Sequence, residues 1–166
     1  MSSALNTQAF IKPGTPILKL NNDKALPFHR LPFVGPAADG VGLSFWKVPK
    51  TGGYTGGCTT GTALARLYLK HLREHGAEDG GSLQGIVLDM IGQGFPNEND
   101  AEQNALRGQV VGFFSELDPF IAAAARNAGA PLDTLRHDDL LAEANNGLNL
   151  DEVAYLAAQP DEVDCA

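Results

Sequence analysis

Residues Lys50–Thr62 have the sequence KTGGYTGGCTTGT, in which five glycines surround Cys58. Glycine permits positive φ angles and a very close approach of the backbone to other groups, so this cluster predicts a tight loop with a geometric role. An amphipathic pattern follows from about Thr60, which predicts that the loop opens directly into a helix. The free amide groups at such a helix start can hold an anion or favour the thiolate of Cys58.

The chain beyond Cys58 is predicted to be helical. Apolar residues recur there at intervals of three and four, and polar caps such as Ser82 and Asp100 precede several of the apolar stretches. We therefore expect a mainly α fold, with a compact domain of five or six helices and no internal repeat. The predicted helices cover approximately residues 60–75, 82–92, 100–117, 118–128, 132–144 and 150–158.

The first 57 residues are predicted to form an extended arm. They contain six of the ten prolines, which interrupt helices, and only short apolar runs. Pro16–Leu20 and Gly42–Val48 have the composition of strands, and Leu26–Gly40 between them is predicted to be an irregular connection. The sequence therefore predicts an arm over residues 1–57 with two or three short strands, followed by a helical domain over residues 58–166.

Composition and charge narrow the classes of function. The chain has 166 residues and a formal net charge of −8, while residues 1–57 carry six bases against two acids. The bases are dispersed and the other end of the chain is acidic, which argues against nucleic-acid binding. No apolar run is long enough to span a bilayer and the start lacks the pattern of a signal peptide, so we expect a cytoplasmic protein without membrane contact.

The two ends of the chain have opposite charges. Nine acids lie after Leu132, where Arg136 is the only base. Either these acids form a solvated face, or the acidic end pairs with the basic arm within one chain or between neighbouring chains. The wide apolar surface from Val110 to Phe120 is predicted to be a central core helix or a subunit interface.

Cys58 is the first candidate for catalysis. A thiol at a helix start resembles the arrangement in papain-like amidases, in which the helix favours the thiolate and can bind an oxyanion. Those enzymes supply a His from a later strand, whereas this chain offers His29, His71 or His137 as the base. The resemblance implies a small cysteine-dependent hydrolase or transferase. The alternative is a buried structural thiol, and Cys165 is predicted to be a second free thiol.

A metal site is the second candidate. Residues 71–75 are HLREH, which matches the H-x-x-E-H pattern of the inverted zinc metallopeptidases. His71 and His75 share a helix face at this spacing, and Glu74 is the potential general base. A His near a helix C-terminus is also favoured by the helix dipole alone. A third ligand would have to come from far downstream, where Glu143 and Glu152 are the nominal candidates, so we expect neither a tightly bound metal nor a cofactor.

A third candidate is an anion site in the glycine cluster. The stretch lacks the GK[ST] ending of a P-loop and the GxGxxG spacing of a dinucleotide fold. The neighbouring aromatic residues Phe45, Trp46 and Tyr54 can line a pocket there or belong to the core. The candidate anion ligands are Lys50, Gly53, Gly56, Gly57, Thr59 and Thr60.

These patterns favour a non-catalytic accessory or assembly protein over an enzyme. In this interpretation the basic arm and an apolar helix face dock on a protein partner or on copies of the same chain, as a homo-oligomer. The cysteine-dependent hydrolase or transferase is the alternative, and a metal-dependent hydrolase using His71, Glu74 and His75 comes third. The position of Cys58 relative to the four His residues discriminates between these hypotheses.

Overall fold

The computed structural model describes residues 18, 27–38, 40–76, 82–94, 100–151 and 153. Within these ranges the chain forms a two-stranded antiparallel sheet that is followed in the sequence by four α-helices. The predicted mainly α class is therefore confirmed. The last predicted helix, 150–158, lies mostly outside the described residues. The elements are a 3₁₀ turn at Phe28–Arg30, β1 at Gly35–Pro36, β2 at Leu43–Ser44, α1 at Gly53–His75, α2 at Ser82–Gly92, α3 at Ala101–Ala128, a second 3₁₀ turn at Ala130–Thr134, and α4 at His137–Leu148.

The contacts within the chain divide it into two units, residues 1–121 and 122–166. The first unit contains both strands, α1, α2 and most of α3. The second contains the end of α3, the second 3₁₀ turn and α4. The boundary between the two units lies within α3. The chain is not divided at residue 57, because residues of the predicted arm are part of the hydrophobic core of the first unit.

That core combines side chains from the predicted arm with side chains from three helices. The ring of Trp46 is buried and meets Phe113 edge-on at 5.2 Å, and Phe33 lies 5.4 Å from it. Residues 27–50 therefore complete the core instead of extending away from it. The buried apolar residues are Leu31, Phe33, Trp46 and Val48 before the helices, Leu64, Ala65 and Tyr68 in α1, Ile86 and Met90 in α2, and Ala105, Leu106, Phe113 and Leu117 in α3.

Two polar side chains, Asp89 in α2 and Gln93 just after it, hold the backbone that follows β2. The Asp89 carboxylate accepts hydrogen bonds from the Ser44 hydroxyl at 3.0 Å and from the amides of Phe45 and Trp46. The side-chain amide of Gln93 donates to the carbonyl of Trp46 at 2.5 Å. These bonds satisfy backbone groups that a longer strand would pair with a neighbouring strand.

Gln109 of α3 connects the same segment to the core. Its side chain is buried, and its carbonyl oxygen accepts a hydrogen bond from the Trp46 indole at 3.1 Å. Its amide nitrogen donates to the carbonyl of Pro49 at 2.8 Å. A buried amide is stabilising only when its donor and acceptor are both used, and Gln109 meets that condition.

The two strands differ from those that the sequence predicts. β2 covers two residues of the predicted strand Gly42–Val48, and β1 lies in the segment that was predicted to be irregular. The chain reverses between them because Gly40 and Gly42 adopt φ angles of 75° and 83°, which other residues rarely reach. The other predicted strand, Pro16–Leu20, lies outside the described residues except for Leu18, which packs against the core.

Three helices also differ from the prediction. The helix predicted over residues 132–144 is replaced by the 3₁₀ turn at Ala130–Thr134 and by α4, which begins at His137 and ends at Leu148. α1 begins at Gly53, so four of the five glycines of the cluster are helical rather than part of a loop, and Gly52 precedes the helix with a φ angle of 84°. α3 is one helix where two were predicted, with Pro119 inside it. Ser115, Asp118 and Pro119 are all exposed, so water can hydrate the carbonyl that loses its amide donor at the proline. None of the helices in the described ranges combines the length and apolar character needed to cross a bilayer.

Candidate functional site

The glycine cluster forms a close contact between α1 and α3. Gly57 and Gly61 of α1 face α3, and Gly108 and Gly112 of α3 face α1; we call these four residues the glycine seam. A Cβ atom at any of them would lie under 3.0 Å from a backbone oxygen of the other helix, which real Cβ atoms essentially never show. The glycines therefore serve helix packing, because only a residue without a Cβ allows two backbones to approach so closely.

Polar contacts continue the α1–α3 interface towards the surface. The Thr62 hydroxyl donates to the carbonyl of Gly112 at 3.3 Å, and Arg66 donates two hydrogen bonds to Glu116, at 2.8 and 3.2 Å. The hydrogen bond from Arg66 lowers the pKa of the Glu116 carboxyl. The Arg66 side chain is 67% exposed, so solvent screens this pair and its contribution to stability is small.

Except for Lys50, the residues of the predicted anion site are distributed along the first two turns of α1. The amide of Gly56 donates to the carbonyl four residues earlier at 3.1 Å, so the amides from Gly56 onward belong to the helix. Gly57 is buried in the glycine seam, and Thr59 and Thr60 follow within the helix. Of the glycines and threonines proposed as ligands, only Gly53 lies where a helix leaves its amides free. Lys50 precedes the helix and is half-buried.

Cys58 lies inside α1 rather than at its start. Its side chain is half-buried, and its backbone faces α3 within the glycine seam. His71 lies in the same helix, about 20 Å farther along the axis at a rise of about 1.5 Å per residue. The ring of Phe28 is 5.8 Å from that of His71, which places the adjacent His29 at the same distant end. Neither His29 nor His71 is therefore positioned as a base for Cys58, and His137 belongs to the second unit.

His71 and His75 form a stacked pair on α1. Their ring centroids are 5.2 Å apart and their planes differ by 27°, so the predicted shared face is confirmed. His71 is buried beside Phe28 and Tyr68, and Nε2 of His75 is buried without a hydrogen-bond partner. Glu74 is exposed. The described ranges contain no group of three or more His, Cys, Asp or Glu arranged to hold a metal, so the pair offers two imidazoles and no third ligand from these ranges.

The aromatic residues near the glycine cluster have different environments. Trp46 belongs to the core. The half-buried Phe45 packs against Phe28, with ring centroids 5.2 Å apart. Tyr54 is 40% exposed, and the Arg107 guanidinium lies 5.6 Å above its ring. These three side chains therefore do not line one shared pocket at the start of α1.

From Ala130 onward, the described residues of the second unit expose their apolar side chains. Every residue from Ala130 to Asp151 is exposed, and α4 buries none of its residues. The exposed fraction of its leucines reaches 83% at Leu148. The large apolar residues concerned are Leu132, Leu135, Leu140, Leu141, Leu148, Leu150 and Val153.

Four residues of α4 form one apolar stripe. Leu141, Ala144 and Leu148 are spaced by three and four residues, and Leu140 lies beside them on the same side of the helix. We call these four residues the α4 stripe. Next to the start of α4 there is an open depression lined by Leu132, Asp133, Leu135, Arg136, His137 and Asp138.

The sequence analysis missed this surface although it predicted a helix over residues 132–144. The available signal was the heptad-like spacing of Leu141, Ala144 and Leu148 among acidic residues. Such spacing indicates an apolar face, but it does not tell whether the same chain covers that face. The exposure in the structure supplies this missing information.

Comparisons of this chain with known protein families, with curated proteins and with solved structures find no match. The function is therefore inferred from the chemistry and geometry of the sites described above.

Proposed function

We propose that this chain is a non-catalytic assembly or adaptor protein that docks on a protein partner through its second unit. The observation that carries the proposal is the exposure of the apolar side chains in that unit. An exposed apolar surface rimmed by polar residues is typical of protein interaction sites, because contact between such a surface and water is unfavourable. Docking would remove the α4 stripe from water.

The form of α4 suits recognition by a groove or by another helix. Side chains at i, i+3 and i+7 are the usual anchors of a helix that binds through one face, and Leu141, Ala144 and Leu148 have this spacing. Burial of each leucine is worth about 1.5–3 kcal/mol before the cost of association is subtracted. The α4 stripe is therefore large enough to support specific binding of moderate affinity.

The arm has a smaller part in this proposal than the sequence predicts. Residues 27–50 contribute Leu31, Phe33, Trp46 and Val48 to the core of the first unit, so these side chains are not available to a partner. Docking by residues 1–26 stays a prediction, because Leu18 is the only described residue among them. The apolar stretch from Val110 to Phe120 is likewise divided: Phe113 and Leu117 are core residues, whereas Val111 and Phe120 are exposed.

Site-specific photo-crosslinking tests the docking role. A photo-activatable phenylalanine derivative in place of Leu141, whose side chain is 63% exposed, is expected to give discrete crosslinked protein products in the native cells. The same derivative in place of Lys70, an exposed residue of α1 in the first unit, is the control. Mass spectrometry identifies the products. The proposal is contradicted if position 141 gives no more crosslinked protein than position 70.

A further inference from the structure

Acidic side chains border the α4 stripe on both sides. Successive residues of a helix are separated by about 100° around its axis, so Asp138 lies next to Leu141 at one edge and Glu143 lies next to Leu140 at the other. Both acids are exposed, and 90% of the Asp138 side chain is accessible to solvent. A partner that covers the stripe therefore contacts carboxylates along both of its edges.

The surface around the stripe has a large negative charge. Residues 130–151 contain five carboxylates and a single base, Arg136, which gives a formal net charge of −4. Arg136 lies 4.0 Å from Asp138 and 3.9 Å from Asp139, and all three side chains are at least 75% exposed. Such long and solvated contacts are weak. Arg136 therefore leaves most of the negative potential of this surface in place.

A second copy of the chain fits this surface poorly. If two α4 stripes met across a two-fold axis, each acidic edge would face the acidic edge of the other copy. Like charges at the edges of a helix pair oppose association and select against that pairing. A partner with lysine or arginine at the corresponding positions would instead place a base opposite Asp138 and Glu143.

We infer that the α4 stripe binds a helix of another protein whose apolar face is bordered by lysine or arginine. The inference rests on the proposed docking function of the second unit and specifies the chemistry of the partner. In this complex the leucines supply most of the affinity. The charges at the edges select the partner and speed its association.

Two synthetic peptides test the inference with the purified protein. One is an amphipathic helix with leucines at i, i+3, i+4 and i+7 and lysines at the flanking positions; the other has glutamate in place of each lysine. We expect fluorescence anisotropy to show saturable binding of the lysine peptide that weakens at high salt, and no saturable binding of the glutamate peptide. The substitutions Leu141→Gln and Leu148→Gln together should weaken binding at least tenfold.

Two charge variants, each of which neutralises three carboxylates, show whether the lysine peptide is attracted by the acids of α4 or by the negative charge of the whole protein. Asp138→Asn, Asp139→Asn and Glu143→Gln together should abolish the preference for the lysine peptide. The matched control carries substitutions at three exposed acids of the first unit, Glu74→Gln, Glu102→Gln and Asp118→Asn, and should keep that preference.

The outcomes distinguish this inference from the proposed function. Equal binding of the two peptides, or equal losses in the two charge variants, would overturn the inferred partner chemistry. Self-association of the protein that is lost with Leu141→Gln would also overturn it, because the occupant would then be a second copy. A crosslinked partner at position 141 would still support docking in both cases, whereas the absence of that crosslink contradicts docking itself.

Discussion

Replacing Gly61 with alanine is expected to destabilise the first unit by about 3 kcal/mol. The added Cβ would clash with the carbonyl oxygen of Gln109 and would lie 2.8 Å from the amide nitrogen of Phe113. Both atoms belong to the backbone of α3, so neither can rotate away and the two helices must separate. Separation also weakens the contact between Tyr68 and Phe113, whose rings are 6.1 Å apart in the core.

Gly56→Ala is the matched control for this substitution. Gly56 lies in the same helix, but a Cβ added there would meet no atom within 4 Å. Alanine favours the helix over glycine by about 0.5–1 kcal/mol, so the control is expected to be slightly more stable than the original chain. Urea denaturation followed by the fluorescence of Trp46, the single tryptophan, measures both effects. Effects of the same sign would contradict the glycine seam.

The second large effect is expected at Trp46. Trp46→Ala should cost about 3–5 kcal/mol, because it leaves a cavity beside Phe33 and Phe113. It also removes the indole that donates to the buried Gln109. Val41→Ala is the matched control in the same segment, since Val41 is 79% exposed, and it should change stability by less than about 0.5 kcal/mol.

Denaturation followed by far-UV circular dichroism measures these two variants, because Trp46→Ala removes the fluorescent probe. A loss below about 1 kcal/mol at Trp46, comparable to surface substitutions, would contradict the assignment of residues 27–50 to the core. A large loss would show instead that this part of the predicted arm is needed for the stability of the chain's own fold.

The parts of the fold that depend on local pattern could be predicted from the sequence. α2 has the predicted bounds, with Ile86 and Met90 buried as their spacing indicates. The cap at Asp100 is present, since its carboxylate accepts from the amides of Glu102 and Gln103 at 2.8 and 3.0 Å. Helix periodicity and capping depend on residues within one or two turns, so the sequence contains the relevant information.

In the glycine cluster, the prediction of a loop from local sequence pattern is wrong. Glycine has low helix propensity, which predicts a loop. The helix forms because Gly57 and Gly61 pack against Gly108 and Gly112, far away in the sequence, and this packing outweighs the low propensity. The shared spacing of four residues in the two pairs is a signal of such a contact. It becomes recognisable only when the two helices are known to be neighbours.

Some features of the candidate sites follow from local sequence pattern, and others depend on how distant parts of the chain pack. The pairing of His71 with His75 follows from their spacing within one helix and was predictable. The separation of Cys58 from His29 depends on how the segment around Phe28 packs against the far end of α1, which no local pattern encodes. The exposure of Leu141 is likewise a property of the folded chain, because amphipathicity predicts an apolar face but not what covers it.

The free energy of unfolding of a triple variant tests most directly whether the leucines of α4 are available to a partner. Glutamine has nearly the same helix propensity as leucine but ends in a polar amide and has less apolar surface, so Leu140→Gln, Leu141→Gln and Leu148→Gln together leave α4 able to form. If these leucines are exposed in the chain alone, the triple variant should unfold with a free energy within about 0.5 kcal/mol of the original protein. A loss of about 2 kcal/mol or more, which is the lower end of the cost of truncating a single buried leucine, would show that the chain buries them in its own fold and would contradict the docking surface.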